Sequence, residues 1–169
     1  CTYFEIATPA GEWVAGRTME LGQSGGGLLA GTDGGLPTME PWRIVVHPRG
    51  PSGGGYGYLT AEAASSQGAA VVDGMNEAGL SVSLQTMRMA GYQEPDPAKD
   101  SVFFGELVPW MLARFDSVET VRQGLANVSV VNKGLGRGDF AHWAVADAKG
   151  DSVVVEYVDG ELQVHKNDV

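Results

Sequence analysis

Three observations in the sequence predict a layered α+β domain with antiparallel sheets. Stretches that read as strands come first, then two helices, then strands again, an order that favours segregated layers over an alternating parallel sheet. The chain opens on a hairpin pattern and closes on a meander with short turns. Its 169 residues, 43% of them hydrophobic, suffice for one good core, so 1–169 is expected to be a single domain segment.

Residues 3–8 and 12–19 read as two strands joined at Pro9-Ala10-Gly11, since Tyr3, Phe4, Ile6, Trp13 and Val14 are strand formers. Such a hairpin carries Arg17 back beside Cys1. Gly22 to Pro41 is rich in glycine and lacks periodicity, which reads as a long mobile loop, a lid over a site near Cys1. The strand Trp42–His47 follows, then the cluster Gly53-Gly54-Gly55. Neither glycine cluster ends in the Gly-Lys-Ser/Thr of a phosphate-binding loop, which argues against nucleotide binding. Short strands are expected at Tyr56–Thr60 and Ala69–Val72, a turn at Asp73-Gly74-Met75-Asn76, and a strand over Leu80–Thr86. Residues 87–98, with Met87, Met89 and Tyr92, form an apolar loop that covers an acyl group or pads the core; both readings stay open.

Residues 102–115 carry a helical stripe, Phe104, Leu107, Val108, Met111 and Phe115, with Pro109 kinking the helix or marking its true start. Asp116 with Glu119 makes a capping box for a second helix running to about Asn127. Val131–Phe140 is another glycine-bearing loop. His142–Asp147 and Ser152–Val158 are strands joined by a Lys-Gly-Asp turn, and Asp159-Gly160 closes a hairpin into Glu161–His165. The tripeptide Arg137-Gly138-Asp139 and the sequon Asn127-Val128-Ser129 are too short to carry a function.

Chemistry concentrates at the start. The only cysteine is the first residue, so a thiol and an α-amino group share one residue. Their ordinary pKa values are about 8.5 and about 7.7–8.0, so the amine can take the thiol proton near neutral pH, directly or through one water. The same arrangement activates N-terminal threonine nucleophiles. Taken alone, an N-terminal cysteine is more often the residue left by trimming a tag or signal. Arg17 adds weight to the catalytic reading, because a nearby guanidinium lowers a thiol pKa. Glu20, three residues on, can orient the ammonium or the guanidinium.

These residues resemble a known family, the choloylglycine hydrolases (conjugated bile acid hydrolases and penicillin V acylases), which are N-terminal-nucleophile hydrolases. That family opens on Cys-Thr and carries Gly-Arg-x-x-Asp about sixteen residues on; here the stretches are Cys1-Thr2 and Gly16-Arg17-Thr18-Met19-Glu20, with Glu20 in place of the usual Asp. The resemblance runs on through Asp73-Gly74-Met75-Asn76-Glu77-Ala78-Gly79-Leu80 and His142-Trp143-Ala144-Val145-Ala146-Asp147, and ends at Glu156-Tyr157-Val158-Asp159-Gly160-Glu161-Leu162. It implies an αββα sandwich, no cofactor, and hydrolysis of linear amide bonds in N-acylated small molecules by Cys1, with Arg17 and Glu20 setting the electrostatics. It further implies that the backbone amide of Thr86, ten residues past Asn76, points into the oxyanion hole. Met19, Leu21, Met87 and Leu135 are then the candidate substrate contacts, Leu21 standing where several members have tryptophan.

With 11 Lys and Arg against 21 Asp and Glu, a net charge of −10, the chain is a poor nucleic-acid binder. No apolar run approaches the roughly 20 residues of a membrane span, no stretch of these residues reads as a signal peptide, and a single cysteine allows no internal disulfide. A leader cleaved before Cys1 implies a periplasmic or secreted protein, and removal of a methionine alone a cytoplasmic one. Three competing readings are weaker. A papain-type cysteine lies inside the chain at a helix start; His47, His142 and His165 lack metal-ligand spacing; a binding module retaining the fold without catalysis makes no use of Cys1.

Members of the family also run beyond this length. Just after the stretch matching His165-Lys166-Asn167-Asp168-Val169 they carry a Thr-Asn pair whose Asn is the second oxyanion donor, and later an arginine. The expectation is therefore that residues 1–169 are one piece of a larger molecule, held non-covalently to a second polypeptide chain that completes the fold and the site, in a unit that forms a homo-oligomer.

Overall fold

The computed structural model describes residues 1–18, 42–51, 54–65, 68–133 and 140–167. The chain begins as a hairpin of β1 (Thr2–Ala7) and β2 (Trp13–Thr18), paired with Tyr3 opposite Arg17 and Phe4 opposite Gly16. Gly11, at a φ of 82°, closes the turn by donating its N–H to the Thr8 carbonyl at 2.9 Å.

The body is one antiparallel sheet of seven strands. It takes in β3 (Trp42–His47), β4 (Tyr58–Ser65), β5 (Gly68–Asn76) and β6 (Ser81–Met87), then β9 (Phe140–Ala146), β10 (Ser152–Val158) and β11 (Glu161–Lys166). The order is β11-β10-β9-β6-β5-β4-β3, so β11 and β3 form the edges among the described residues. Between β6 and β9 in the chain lie β7 (Asp100–Phe103), a 3₁₀ turn, α1 (Leu107–Arg114), α2 (Val118–Ala126) and β8 (Val128–Val131), with β7 and β8 paired in parallel.

Strand alternation assigns the two faces of the large sheet. Val82, Leu84, Trp143, Val145, Val153, Val155 and Tyr157 share a core with Leu107, Val108, Met111 and Leu112 of α1 and with Val118, Val121 and Leu125 of α2. Each such side chain contributes about 1.5–3 kcal/mol by leaving water. The hairpin lies on the opposite face, turning Tyr3, Trp13 and Arg17 toward the sheet. Its outer face keeps Phe4, Ile6 and Val14 exposed. On the hairpin side of β3–β5, Ile44 and Val46 are 68% and 73% exposed, and Leu59 and Met75 continue the apolar row. The architecture is layered α+β, as the sequence predicts: helices, a seven-stranded sheet, and a two-stranded ribbon over its far face.

Several elements differ from the sequence reading. Asp73-Gly74-Met75-Asn76 is not a turn but the end of β5; the turn follows at Glu77–Gly79. Gly74 lacks a side chain because a Cβ there would collide with the Leu59 carbonyl at 2.6 Å and with Leu112 of α1. The preceding strand reaches Ser65 rather than Thr60. The helix expected over 102–115 starts only at Leu107, with Pro109 third in its first turn, where its missing N–H costs nothing. Residues 100–103 are instead a strand, since β8 offers a parallel partner that no local periodicity reveals. That strand, β8, takes the Val131 assigned to a loop. The cap of α2 is Ser117 with Thr120, not Asp116 with Glu119: Ser117 Oγ accepts from the Thr120 N–H at 3.4 Å, and Thr120 Oγ1 from the Ser117 N–H at 3.2 Å. Asp116 accepts from both hydroxyls, at 2.9 and 3.0 Å. Strands β3 and β10 have the expected bounds, and Asp159-Gly160, both at positive φ, closes the last hairpin. The loop over Gly22 to Pro41 and the tripeptide Arg137-Gly138-Asp139 lie outside the described residues.

Candidate active site

Cys1 stands one residue ahead of β1 and is exposed. Successive side chains alternate faces, so Tyr3 and Arg17, opposite each other, share the side of the hairpin turned to the sheet. Cys1 adjoins Thr2, the first paired residue of the hairpin, whose partner Thr18 follows Arg17.

Arg17 is the best-fixed charge in this region, its side chain only 11% exposed. Its Nη1 donates to Asp73 Oδ2 at 2.7 Å, to the Leu84 carbonyl at 2.7 Å and to the Val72 carbonyl at 3.4 Å. A bulge in β5 makes this possible. Ala61 pairs with Asp73 and Glu62 with Val71, so Val72 is an extra residue whose carbonyl is released from the ladder. The pairing of β5 with β6 also stops at Asp73 and Ser83, which frees Leu84 O. Burial raises the Asp73 pKa, and the hydrogen bond and charge of Arg17, then the Ser83 hydroxyl, oppose it. Tyr3, opposite Arg17, is pushed up chiefly by burial and next by Glu5.

Thr86 lies opposite Ala141 and its side chain is exposed. The Ala141 N–H donates to the Tyr92 hydroxyl, and the Ala141 carbonyl accepts from it, at 3.0 and 2.9 Å. Ala141 therefore spends its backbone groups away from β6. Thr86 is two residues past Leu84, and alternation turns its N–H to the same open side as the Leu84 carbonyl. Met87 ends β6, half-buried, opposite Phe140. Glu20, Met19, Leu21 and Leu135 lie outside the described residues.

Sequence reasoning missed Asp73, whose acidic side chain in an apparent turn signalled nothing about a partner 56 positions away. It missed as well a polar row on the same face: His142 lies 3.2 Å from Gln85 Oε1 and 3.1 Å from Glu156 Oε1, and His165 lies 3.5 Å from Glu156 Oε2. The third histidine, His47, sits apart on β3 with Thr60 and Glu62, at 2.9 and 3.2 Å.

A model of the linear amide C–N hydrolases, choloylglycine hydrolase family, matches residues 1–169. The chain belongs to that family. Among curated proteins it is 35% identical over 101 residues to a bile salt hydrolase/transferase of Lactiplantibacillus plantarum, a match covering 57% of this chain and 31% of that protein. A bile salt hydrolase/transferase of Clostridium perfringens is 32% identical over 102 residues, with the same two coverages. Among solved structures, a variant of the Clostridium perfringens conjugated bile acid hydrolase superposes with a TM-score of 0.58 at 29% identity, covering 67% of this chain and 36% of that one. Penicillin V acylase from Agrobacterium tumefaciens gives 0.55 at 26% identity, covering 73% and 38%. This choloylglycine hydrolase family chain thus matches about a third of the length of these relatives.

Proposed function

We propose that this chain carries the nucleophile of an amidohydrolase that cleaves linear amide bonds in N-acylated small molecules. The observation that supports it most is an exposed first-residue cysteine at the hairpin end where Thr2 pairs with Thr18, the residue after the fixed guanidinium of Arg17. In the proposed reaction the α-amine takes the Cys1 proton, and the sulfur adds to the amide carbon. The negative charge that develops on the carbonyl oxygen meets the Thr86 N–H and a second donor. Collapse breaks the C–N bond, with the proton passing from the α-ammonium to the leaving nitrogen. Water, deprotonated by the same amine, then releases the acid and restores the thiol. Glu20 orients the ammonium or Arg17. Met19, Leu21, Met87 and Leu135 supply an aliphatic acyl pocket, so recognition follows the acyl group, each buried methylene adding about 0.8 kcal/mol.

A second polypeptide chain covers the exposed row of Ile44, Val46, Leu59 and Met75, supplies the second oxyanion donor, and completes a unit that forms a homo-oligomer. The support is the apolar exposure and the length of the relatives. An N-terminal nucleophile dictates the first test. Cys1→Ala is expected to abolish hydrolysis across a panel of bile salts, penicillin V, acyl-homoserine lactones and other N-acyl amino compounds, with circular dichroism unchanged. A methionine retained before Cys1 converts the amine to a non-basic amide and is expected to lower kcat by at least about 10². Normal turnover by that extended protein would rule out the mechanism. Rates that track the amine portion and ignore the acyl chain would overturn the pocket assignment.

A further inference from the structure

Asp73 is the one carboxylate hydrogen-bonded to Arg17 among the described residues. Among the described residues three oxygens hold Arg17 through Nη1 and a fourth, the Thr18 carbonyl, accepts from Nε at 3.5 Å, which leaves Nη2 outside this clamp. All but the Asp73 oxygen are backbone carbonyls, of Thr18, Val72 and Leu84, and do not change with the side chain. Asp73 is held in turn by the β5 bulge on one side and by its cross-strand partner Ser83 on the other. We propose that Asp73 is a positioning residue that aims the Arg17 guanidinium at Cys1 and sets how strongly its positive charge favours the thiolate. This rests on the reading of Cys1 as the nucleophile.

The charges give the sign of the effect. An ionised Asp73 offsets part of the field of Arg17 at the thiol and so keeps the thiol pKa higher than Arg17 alone would leave it. An asparagine keeps an amide oxygen for Nη1 but removes the offsetting charge, so the thiolate forms at lower pH. Without Arg17 the situation reverses. Asp73 then has no guanidinium to aim, and burial and the lost cation both favour its neutral form, so less charge is left to remove.

The test is the pH dependence of Cys1 alkylation by iodoacetamide, read by mass spectrometry on the full native protein, for wild type, Asp73→Asn, Asp73→Glu, Arg17→Gln and the double variant Arg17→Gln/Asp73→Asn. The alkylation midpoint of Asp73→Asn is expected to fall by roughly half a unit to one unit, the size of a unit charge acting over several ångströms at an effective dielectric of about 20–40. Asp73→Glu, which restores the charge, is expected to stay within about 0.2 unit of wild type. In the Arg17→Gln background, adding Asp73→Asn is expected to shift the midpoint by less than about 0.2 unit. An unchanged midpoint in Asp73→Asn, a shift of equal size with and without Arg17, or a glutamate that behaves like the asparagine would overturn the proposal. Alkylation needs no turnover. A wild-type protein that hydrolyses no amide sinks the hydrolase reading, while the midpoints still decide the role of Asp73.

Discussion

Asn76 shows how much one buried side chain can hold. Its amide nitrogen donates to the carbonyls of Leu112 and Phe115, at 2.9 and 2.6 Å, where α1 ends. Its oxygen accepts from the N–H groups of Ala78 and Leu80, at 3.1 and 3.0 Å, shaping the turn into β6. The residue is only 4% exposed, so water replaces none of these bonds. Asn76→Ala is expected to lower stability by about 2–4 kcal/mol in urea unfolding, with Asn76→Asp comparable because a carboxylate has nothing to donate. A loss under about 1 kcal/mol in both would show that the turn and α1 are joined by packing instead. The site was legible in the sequence to the same degree that its groups are local. The short hairpin that returns Arg17 toward the start of the chain is announced by strand-forming residues around a Pro-Ala-Gly turn. Asp73 reaches Arg17 only through a bulge and a long-range pairing, and nothing in its neighbours encodes that. The expectation for Thr86 rests on register alone, because a backbone donor leaves no mark in composition.

Elements were legible where their signals are periodic. The stripe Leu107, Val108, Met111 is buried as the 3.6-residue spacing requires, and the alternating and apolar runs of β3 and β10 give their bounds directly. Two kinds of element were not. Gly74 and Asp73 have turn composition, yet they lie in a strand because helix α1 packs against the glycine more closely than any side chain allows. The strands β7 and β8 are four residues each and depend on one another across two helices, so neither has a local signature. The cap of α2 was read one residue early, since Asp116 is itself a good cap residue. Geometry assigns the role to Ser117, and Asp116 braces the two hydroxyls. Ser117→Ala is therefore expected to cost about 1 kcal/mol in thermal or urea unfolding, and more than Glu119→Ala, whose carboxylate meets only exposed neighbours. The reverse ranking would restore the box at Asp116 and Glu119.

At the scale of the molecule, the layers follow from composition and order, but the neighbours within the large sheet do not. The strands β6 and β9 lie side by side, paired from Ser81 opposite Ala146 to Met87 opposite Phe140, though both helices and a small parallel ribbon separate them in the chain. Bringing such distant segments together unaided loses loop-closure entropy before any contact repays it. The parallel pairing of β7 with β8 changes that cost. It draws Asp100 opposite Val128, so the whole helical insertion returns to its starting point and the chain leaves it close to where it entered. For β6 and β9 the insertion then behaves as a short tether. Folding should accordingly begin in the insertion, with the closing meander zipping on afterwards. In stopped-flow experiments, Val121→Ala is expected to slow refolding with a φ near one, and Val155→Ala to speed unfolding with a φ near zero. Equal φ values at the two positions would mean that sheet and insertion form together. In an extended chain a parallel ribbon of two four-residue strands looks too small to matter; its weight is kinetic, because it decides which distant strands can find each other in time.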